Sequence, residues 1–272
     1  SDVYKRQEQK ALILSAAERP EDVIFCLKSD MTEELLREAD VFLGNLESPG
    51  QLEKTEHLKW IQLNNAGTEG YCVPGRLPQG AVLTNATGAY GLAISEHMLA
   101  CLFMLRKKLN LYYANQLQSQ WKSDGHVGVT QGTTVLVIGL GDIGTCFASK
   151  MKALGCTTIG VKRRVGEKPD CVDGLYGMEE LDSLLPRADV VALSLPGNPS
   201  TYHTLNRERI SLLSPNAIVL NVGRGTAVDT DALSDALYAG KIAGAALDVT
   251  DPEPLPADHP LWKAPNAIIT PH

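Results

Sequence analysis

The chain has 272 residues, enough for two domains or one large one, and its 44% hydrophobic and 21% charged content is that of a globular protein rather than a disordered one. A formal net charge of -7 gives no general electrostatic reason to bind nucleic acid. No apolar run reaches the length of a membrane span and no charged-then-apolar leader opens the chain, so a cytoplasmic protein with no membrane partner is expected.

The opening residues Ser1 to Gln7 are polar and lead into no obvious cap; they resemble translated adapter sequence and are set aside from the fold. After them, short apolar runs alternate with polar helical stretches. Ala11–Leu14, Val23–Cys26, Val41–Gly44, Trp60–Leu63 and Ala81–Thr84 read as strands, and Thr32–Glu38 and Gln51–His57 as helices, with Thr32 as an N-cap. Strands alternating with helices predict a parallel sheet covered on both faces. From Tyr90 to Gln118 the pattern becomes one long helix whose apolar surface is wider than a solvent-facing helix needs. A loop over Gly125–Gly132 follows. The six cysteines include no CxxC pair and sit mostly in apolar surroundings, so they read as buried reduced thiols, with no metal site.

The stretch Thr134-Val-Leu-Val-Ile-Gly-Leu-Gly-Asp-Ile-Gly144 carries the strongest signal. An apolar β-branched run enters Gly139-x-Gly141-x-x-Gly144, and a helical pattern follows. That is the strand, tight turn and helix start of a dinucleotide site. Gly139 lets the chain turn, Gly141 lets backbone N–H groups approach a pyrophosphate, and Gly144 lets the helix pack closely on the strand. The helix N-terminus then presents unpaired N–H groups and a partial positive charge to the phosphates.

The remainder is again β/α. Val135–Ile138, Thr157–Val161, Val190–Leu193, Ala217–Leu220, Gly244–Leu247 and Ala267–Thr270 read as strands; Thr145–Leu154, Met178–Leu184, Arg207–Leu212 and Asp231–Ala239 read as helices. Six strands with right-handed crossovers predict a doubly wound α/β sheet. An NAD site places an acid about twenty residues beyond the glycines, at the end of the second strand. Here that place holds Lys162, Arg163 and Arg164, with no acid before Glu167. A 2′-phosphate carries roughly -1.5 to -2 charges, and each charge-assisted contact to it adds about 1.5–3 kcal/mol. The cations therefore predict NADP(H) as the preferred cofactor, with NAD(H) as the alternative.

Three residues stand at strand ends or in the loops after them, on the sheet edge that faces ligand in such a fold: Arg224, Glu253 and His272. Singly each has a bland explanation, as a surface charge, an acid in a proline-rich loop and a terminal residue. Together they suit hydride transfer to or from a 2-hydroxy acid. A guanidinium holds a carboxylate and polarises the adjacent carbonyl. An imidazole, which titrates near neutral pH, gives or takes the hydroxyl proton. A neighbouring carboxylate orients that imidazole and favours its protonated form.

The Gly139–Gly144 turn, Asn221-Val-Gly-Arg-Gly225, Leu247-Asp-Val-Thr-Asp-Pro-Glu-Pro-Leu255 and Pro271-His272 resemble the signatures of the D-isomer-specific 2-hydroxyacid dehydrogenases, of the glyoxylate/hydroxypyruvate reductase kind, over most of the chain. The resemblance implies a flavodoxin-like substrate domain over residues 8–88 and a Rossmann dinucleotide-binding domain over 89–272. It implies Arg224, Glu253 and His272 as the catalytic trio and Asp248 as the contact to the nicotinamide carboxamide. Asp142 and Ile143 of the glycine turn, with Leu195, Pro196, Thr201, Val222 and Gly223, are implied to line the cofactor. Asn65, Ala66 and Gly67, in the loop Asn64-Asn-Ala-Gly-Thr68, are implied to meet the substrate carboxylate with backbone N–H groups, alongside Arg224. Asn85 and Glu96 fall near the interdomain hinge by the same likeness, and Glu96 and His97 are expected to be structural. The family is usually dimeric through the cofactor domain, and a homodimer is expected. Its sequence continues past the histidine, so a chain stopping at its own catalytic base is expected to be less stable and less active than one carrying that tail. The activity expected is NADPH-dependent reduction of a small 2-oxoacid, glyoxylate or hydroxypyruvate foremost. The alternatives are a formate- or phosphite-type dehydrogenase of the same fold, and a dinucleotide-regulated binding module like the C-terminal-binding-protein corepressors.

Overall fold

The computed structural model describes residues 7–272, so the stretch set aside above lies outside the described residues except for Gln7. The chain forms two compact units that divide between Thr87 and Gly88.

The second unit is built on seven parallel strands: β4 (Thr134–Ile138), β5 (Thr157–Lys162), β6 (Gly174–Gly177), β7 (Val190–Leu193), β8 (Ile218–Asn221), β9 (Gly244–Leu247) and β10 (Ala267–Ile269). They stand in the order β6-β5-β4-β7-β8-β9-β10, with β4 flanked by β5 and β7. The order reverses at β4 and β7, and ligands of such sheets bind outside the carboxyl ends of the strands at that reversal. This is the doubly wound fold, with one strand more than expected. β6 reads Gly-Leu-Tyr-Gly, and its two glycines hide it from an apolar-pattern search.

Alternate residues of the central strands divide between two cores. Leu136, Ile138, Val191, Leu193 and Val219 pack with Leu181 and Leu184 of α6 (Leu181–Leu184) and with Leu233 and Leu237 of the helix Thr230–Tyr238. Val135, Val137, Val190, Ala192 and Leu220 pack with Met98 and Leu102 of α3 (Gly91–Arg106) and with Phe147 and Met151 of α5 (Asp142–Ala153). Both faces are dry, which is why these strands are continuous apolar runs rather than alternating ones.

The long helix expected over Tyr90–Gln118 is two helices, α3 and α4 (Leu109–Leu117), broken at Lys108 with φ 55°. Neither lysine at the break is a helix breaker. The chain turns because distant groups take its ends: Lys107 Nζ donates to the Gly128 carbonyl at 2.8 Å, Lys108 Nζ to the Asp124 carbonyl, and Gly128 N–H to the Arg106 carbonyl at 3.1 Å.

In the first unit β1 (Val41–Leu43), β2 (Trp60–Gln62) and β3 (Val82–Thr84) form a parallel sheet in that order. They cover a core of Leu36, Leu52, Ile61, Leu63 and Tyr71. Thr32 caps α2 (Glu33–Glu38) as expected, its hydroxyl accepting from Leu35 N–H at 3.2 Å. Two expected strands are absent. Ala11–Leu14 lies inside α1 (Gln7–Ala16), where Gln, Glu, Lys, Ala and Leu all favour helix over a four-residue apolar run. Val23–Cys26 is irregular, because no neighbouring strand takes up its backbone groups. The helix expected over Gln51–His57 is a 3-10 helix over Pro49–Lys54, started by Ser48 and Pro49.

Candidate active site

The glycine turn joins β4 to α5 at the topological switch. Gly139 has φ 95°, and a Cβ there would stand 2.9 Å from the Ser194 carbonyl at the end of β7. Ser194 Oγ donates to the Gly139 carbonyl at 2.8 Å and ties the two strand ends together. A Cβ on Gly144 would stand 1.9 Å from the Gly139 carbonyl, so only glycine lets α5 start this close to β4. Around Gly141 a Cβ would meet nothing within 4 Å. The backbone of the turn is thus open on one side and tightly packed on the other. The first-turn N–H groups of α5, among them those of Ile143 and Gly144, have no carbonyl within the helix to receive them. This cradle fits a pyrophosphate. Asp142 is a separate case: its Oδ2 accepts from Gly91 N–H at 2.8 Å and caps the start of α3.

Lys162 ends β5, and Arg163 and Arg164 follow it on the surface. Among the described residues no ion pair engages any of the three, although several carboxylates elsewhere are paired with lysines and arginines. Leu195 is buried while Pro196 is exposed. Thr201 Oγ1 donates to the Pro196 carbonyl at 2.6 Å and closes the loop after β7 on itself.

The loop after β8 carries Arg224. Asn221, fully buried at the strand end, braces it from both sides: its Oδ1 accepts from Gly223 N–H at 3.1 Å and its Nδ2 donates to the Arg224 carbonyl at 3.0 Å. A Cβ on Gly223 would stand 2.5 Å from Leu195 N, and one on Gly225 would stand 1.8 Å from the Thr250 carbonyl. The loops after β7, β8 and β9 therefore lock together, and Arg224 is held among them with Nη1 donating to the Gly223 carbonyl at 2.8 Å. Glu253 follows β9 and His272 follows β10. Their side chains meet, His272 Nδ1 to Glu253 Oε1 at 2.6 Å, each about half exposed. The contact leaves Nε2 of the imidazole as the nitrogen that can hold or release a proton.

Asp248, at the end of β9, lines a small cavity with His97, Met98, Cys101, Leu220, Val222 and Ala246. Its Oδ1 accepts from Thr270 Oγ1 at 2.5 Å, and Thr270 Oγ1 lies 3.2 Å from His97 Nε2. Burial first, and the Asp248 charge second, push the Cys101 thiol up. Sequence reasoning assigned His97 a structural place and passed over Thr270 and Cys101. The available signal was His97 and Cys101 one turn apart on α3, facing a strand that ends three residues before His272.

Asn65, Ala66 and Gly67 belong to the first unit, in the loop after β2. The Asn65 carbonyl accepts from Ala86 N–H at 3.0 Å and the Ala66 carbonyl from Asn85 Nδ2 at 2.6 Å, which pins the loop to the end of β3. Among the described residues no three His, Cys, Asp or Glu side chains gather as a metal site would require, and no helix is long and apolar enough to cross a membrane.

Residues 99–272 match the family described as D-isomer specific 2-hydroxyacid dehydrogenase, NAD binding domain. Solved structures to which the chain is similar include the following three. A D-isomer specific 2-hydroxyacid dehydrogenase family protein from Aeromonas salmonicida subsp. salmonicida A449 is 35% identical with TM-score 0.82, over 97% of this chain and 85% of that one. A D-isomer specific 2-hydroxyacid dehydrogenase from Xanthobacter autotrophicus Py2, in complex with NADPH and MES, is 26% identical with TM-score 0.81, over 100% and 86%. A D-lactate dehydrogenase from Aquifex aeolicus, complexed with NAD and lactic acid, is 26% identical with TM-score 0.80, over 98% and 86%. The chain spans between 42% and 80% of the length of the curated relatives it matches. It belongs to the D-isomer specific 2-hydroxyacid dehydrogenase family, whose members are NAD(P)-dependent oxidoreductases.

Proposed function

We propose that this chain reduces a small 2-oxoacid to the D-2-hydroxy acid with NADPH, using Arg224, Glu253 and His272. The observation that carries this is the 2.6 Å contact between His272 Nδ1 and Glu253 Oε1, at the ends of neighbouring strands and on the ligand-facing edge of the sheet. Glu253 accepts from Nδ1–H, fixing the tautomer and the ring orientation, and His272 delivers the Nε2 proton to the substrate oxygen. Arg224 pairs with the substrate carboxylate and polarises the adjacent carbonyl. Asn65, Ala66 and Gly67 are assigned to substrate binding through their backbone N–H groups. The reduced nicotinamide, when bound, supplies the hydride. The Gly139–Gly144 turn and the first turn of α5 would hold its pyrophosphate, Leu195, Pro196, Thr201, Val222 and Gly223 would line it, and Asp248 would accept from its carboxamide. The cations Lys162, Arg163 and Arg164, which no ion pair among the described residues engages, favour NADPH over NADH, because a 2′-phosphate finds three positive groups there.

The homodimer belongs to this reading as well. Leu109, Tyr113 and Leu117 stand four residues apart on α4 and are 51%, 57% and 69% exposed, a stripe of the kind a partner copy covers.

The test is oxidation of NADPH by the purified protein against a panel of 2-oxoacids, with NADH in parallel and Arg224→Ala alongside. Turnover with NADPH preferred, and a loss of kcat/KM in Arg224→Ala of about 100-fold or more, is expected. An Arg224→Ala variant as active as the parent would refute the assignment of Arg224.

A further inference from the structure

We infer that His97 is a positioning residue that sets the Asp248 carboxylate and the end of β10 through a hydrogen-bonded chain, His97 Nε2–H to Thr270 Oγ1–H to Asp248 Oδ1. The inference rests on the proposed contact between Asp248 and the cofactor. The donor order follows from counting protons. Thr270 Oγ1 lies 2.5 Å from Asp248 Oδ1 and 3.2 Å from His97 Nε2. A hydroxyl has one proton, and an ionised carboxylate can only accept. The Thr270 proton therefore goes to Asp248, and the hydroxyl oxygen must accept from His97, whose proton sits on Nε2. His97 Nε2 is 3.9 Å from Asp248 Oδ1, too far for a direct hydrogen bond, so the hydroxyl is the link. Cys101 Sγ lies 3.5 Å from the same Nε2. Its thiol, pushed up by burial, stays neutral and offers no competing anion.

Two consequences follow from the placement. First, Oδ1 of Asp248 is occupied from within the protein, so Oδ2 is the oxygen left to accept from an amide donor. A carboxylate held on one oxygen cannot rotate freely, and a pre-set acceptor loses less entropy when ligand arrives. Second, Thr270 is two residues before His272, and its own N–H donates to the Leu247 carbonyl at 3.0 Å. The same threonine thus ties the strand that carries the proton-bearing histidine to the strand that carries Asp248, and His97 holds that knot from α3. His97 touches no reacting atom in this account; it acts on the cofactor through Thr270 and Asp248.

The experiment measures the dissociation constant of NADPH and of NADH by nucleotide fluorescence, without substrate, together with Tm. The variants are His97→Leu, Thr270→Val, their double, Asp248→Asn, and the rescues His97→Gln and Thr270→Ser. A glutamine Nε2 can still donate and a serine hydroxyl can still relay. His97→Leu and Thr270→Val are expected to weaken the reduced nucleotide by about tenfold, as loss of one charge-assisted link would. The double variant should be no weaker than either single, since one chain is broken in all three. The rescues should return within about twofold of the parent. A chain that mattered only for packing would lower Tm, leave the dissociation constants alone, and gain nothing from the rescues, which overturns the inference. If Asp248→Asn weakens binding while His97→Leu and Thr270→Val do not, the relay alone is wrong. If Asp248→Asn binds as the parent does, the contact between Asp248 and the cofactor is wrong, and the relay falls with it.

Discussion

At the scale of single residues the proposed chemistry turns on what Glu253 does for His272. A carboxylate at 2.6 Å from Nδ1 fixes the tautomer and orients the ring. Glu253→Gln keeps an acceptor oxygen but removes the charge, so kcat/KM for 2-oxoacid reduction should fall by roughly 10- to 100-fold, with nucleotide affinity unchanged. Parity between Glu253→Gln and the parent in steady-state assays would remove Glu253 from the mechanism. The cations after β5 give a second residue-scale prediction. Neutralising Lys162, Arg163 and Arg164 together to Gln should raise the KM for NADPH by at least about tenfold and leave that for NADH nearly constant. A uniform effect on both cofactors would mean that the loop is only a solvated basic surface.

At the scale of elements, the glycine turn is constrained by space more than by flexibility. Gly144→Ala brings a Cβ to 1.9 Å from the Gly139 carbonyl, so α5 must shift off β4. Overpacking of this kind costs about 1–3 kcal/mol, and both Tm and nucleotide binding should drop. Gly166→Ala is the control, since a Cβ there meets nothing within 4 Å. Equal Tm for the two variants would contradict the packing account. Asp173 supplies a pH-dependent prediction for the sheet itself. It is held below the usual carboxylate range first by Thr158 N–H at 2.8 Å and then by Lys152. A group with a depressed folded-state pKa stabilises at neutral pH and loses that contribution as pH falls through its folded value. Asp173→Asn should therefore lower Tm at pH 7, and the gap to the parent should shrink as the acid range is entered. A gap that stays constant with pH would assign the loss to geometry alone.

The same scale shows why parts of the fold were legible from sequence and others were not. β4, β7 and β9 declare themselves because both faces are buried, so every residue is apolar or small. The turn after β4 is legible because Gly139 answers a positive φ and Gly144 a close approach of helix to strand, while Gly141 leaves the backbone open. β6 is not, because its two glycines carry no apolar signal. The break between α3 and α4 is not, because it is made by carbonyls at Asp124 and Gly128, distant in sequence from the lysines they hold. Ala11–Leu14 misleads because a short apolar run suits strand and helix equally. The strand ends that carry Arg224, Glu253 and His272 could be read from position in the fold, whereas the link from His97 to Asp248 could not. It depends on which face α3 turns toward β9 and β10, and that is decided by packing against α5.

At the scale of the whole molecule, the proposed assembly is tested apart from the activity. If α4 carries the partner interface, Tyr113→Glu with Leu117→Glu should shift the mass measured by light scattering from that of a pair to that of the 29.3 kDa chain, with the Tm of the cofactor unit little changed. A parent protein that is already monomeric at micromolar concentration would remove the dimer from the account. The central claim is the reduction itself, and the most direct measurement is kcat/KM for NADPH-dependent reduction of glyoxylate by the parent and by His272→Asn, with NADPH dissociation constants for both. The account predicts turnover by the parent and a loss of about 100-fold or more in His272→Asn at nearly equal nucleotide affinity. A folded, NADPH-binding parent that reduces no 2-oxoacid, or a His272→Asn variant that reduces glyoxylate as fast as the parent, would contradict it.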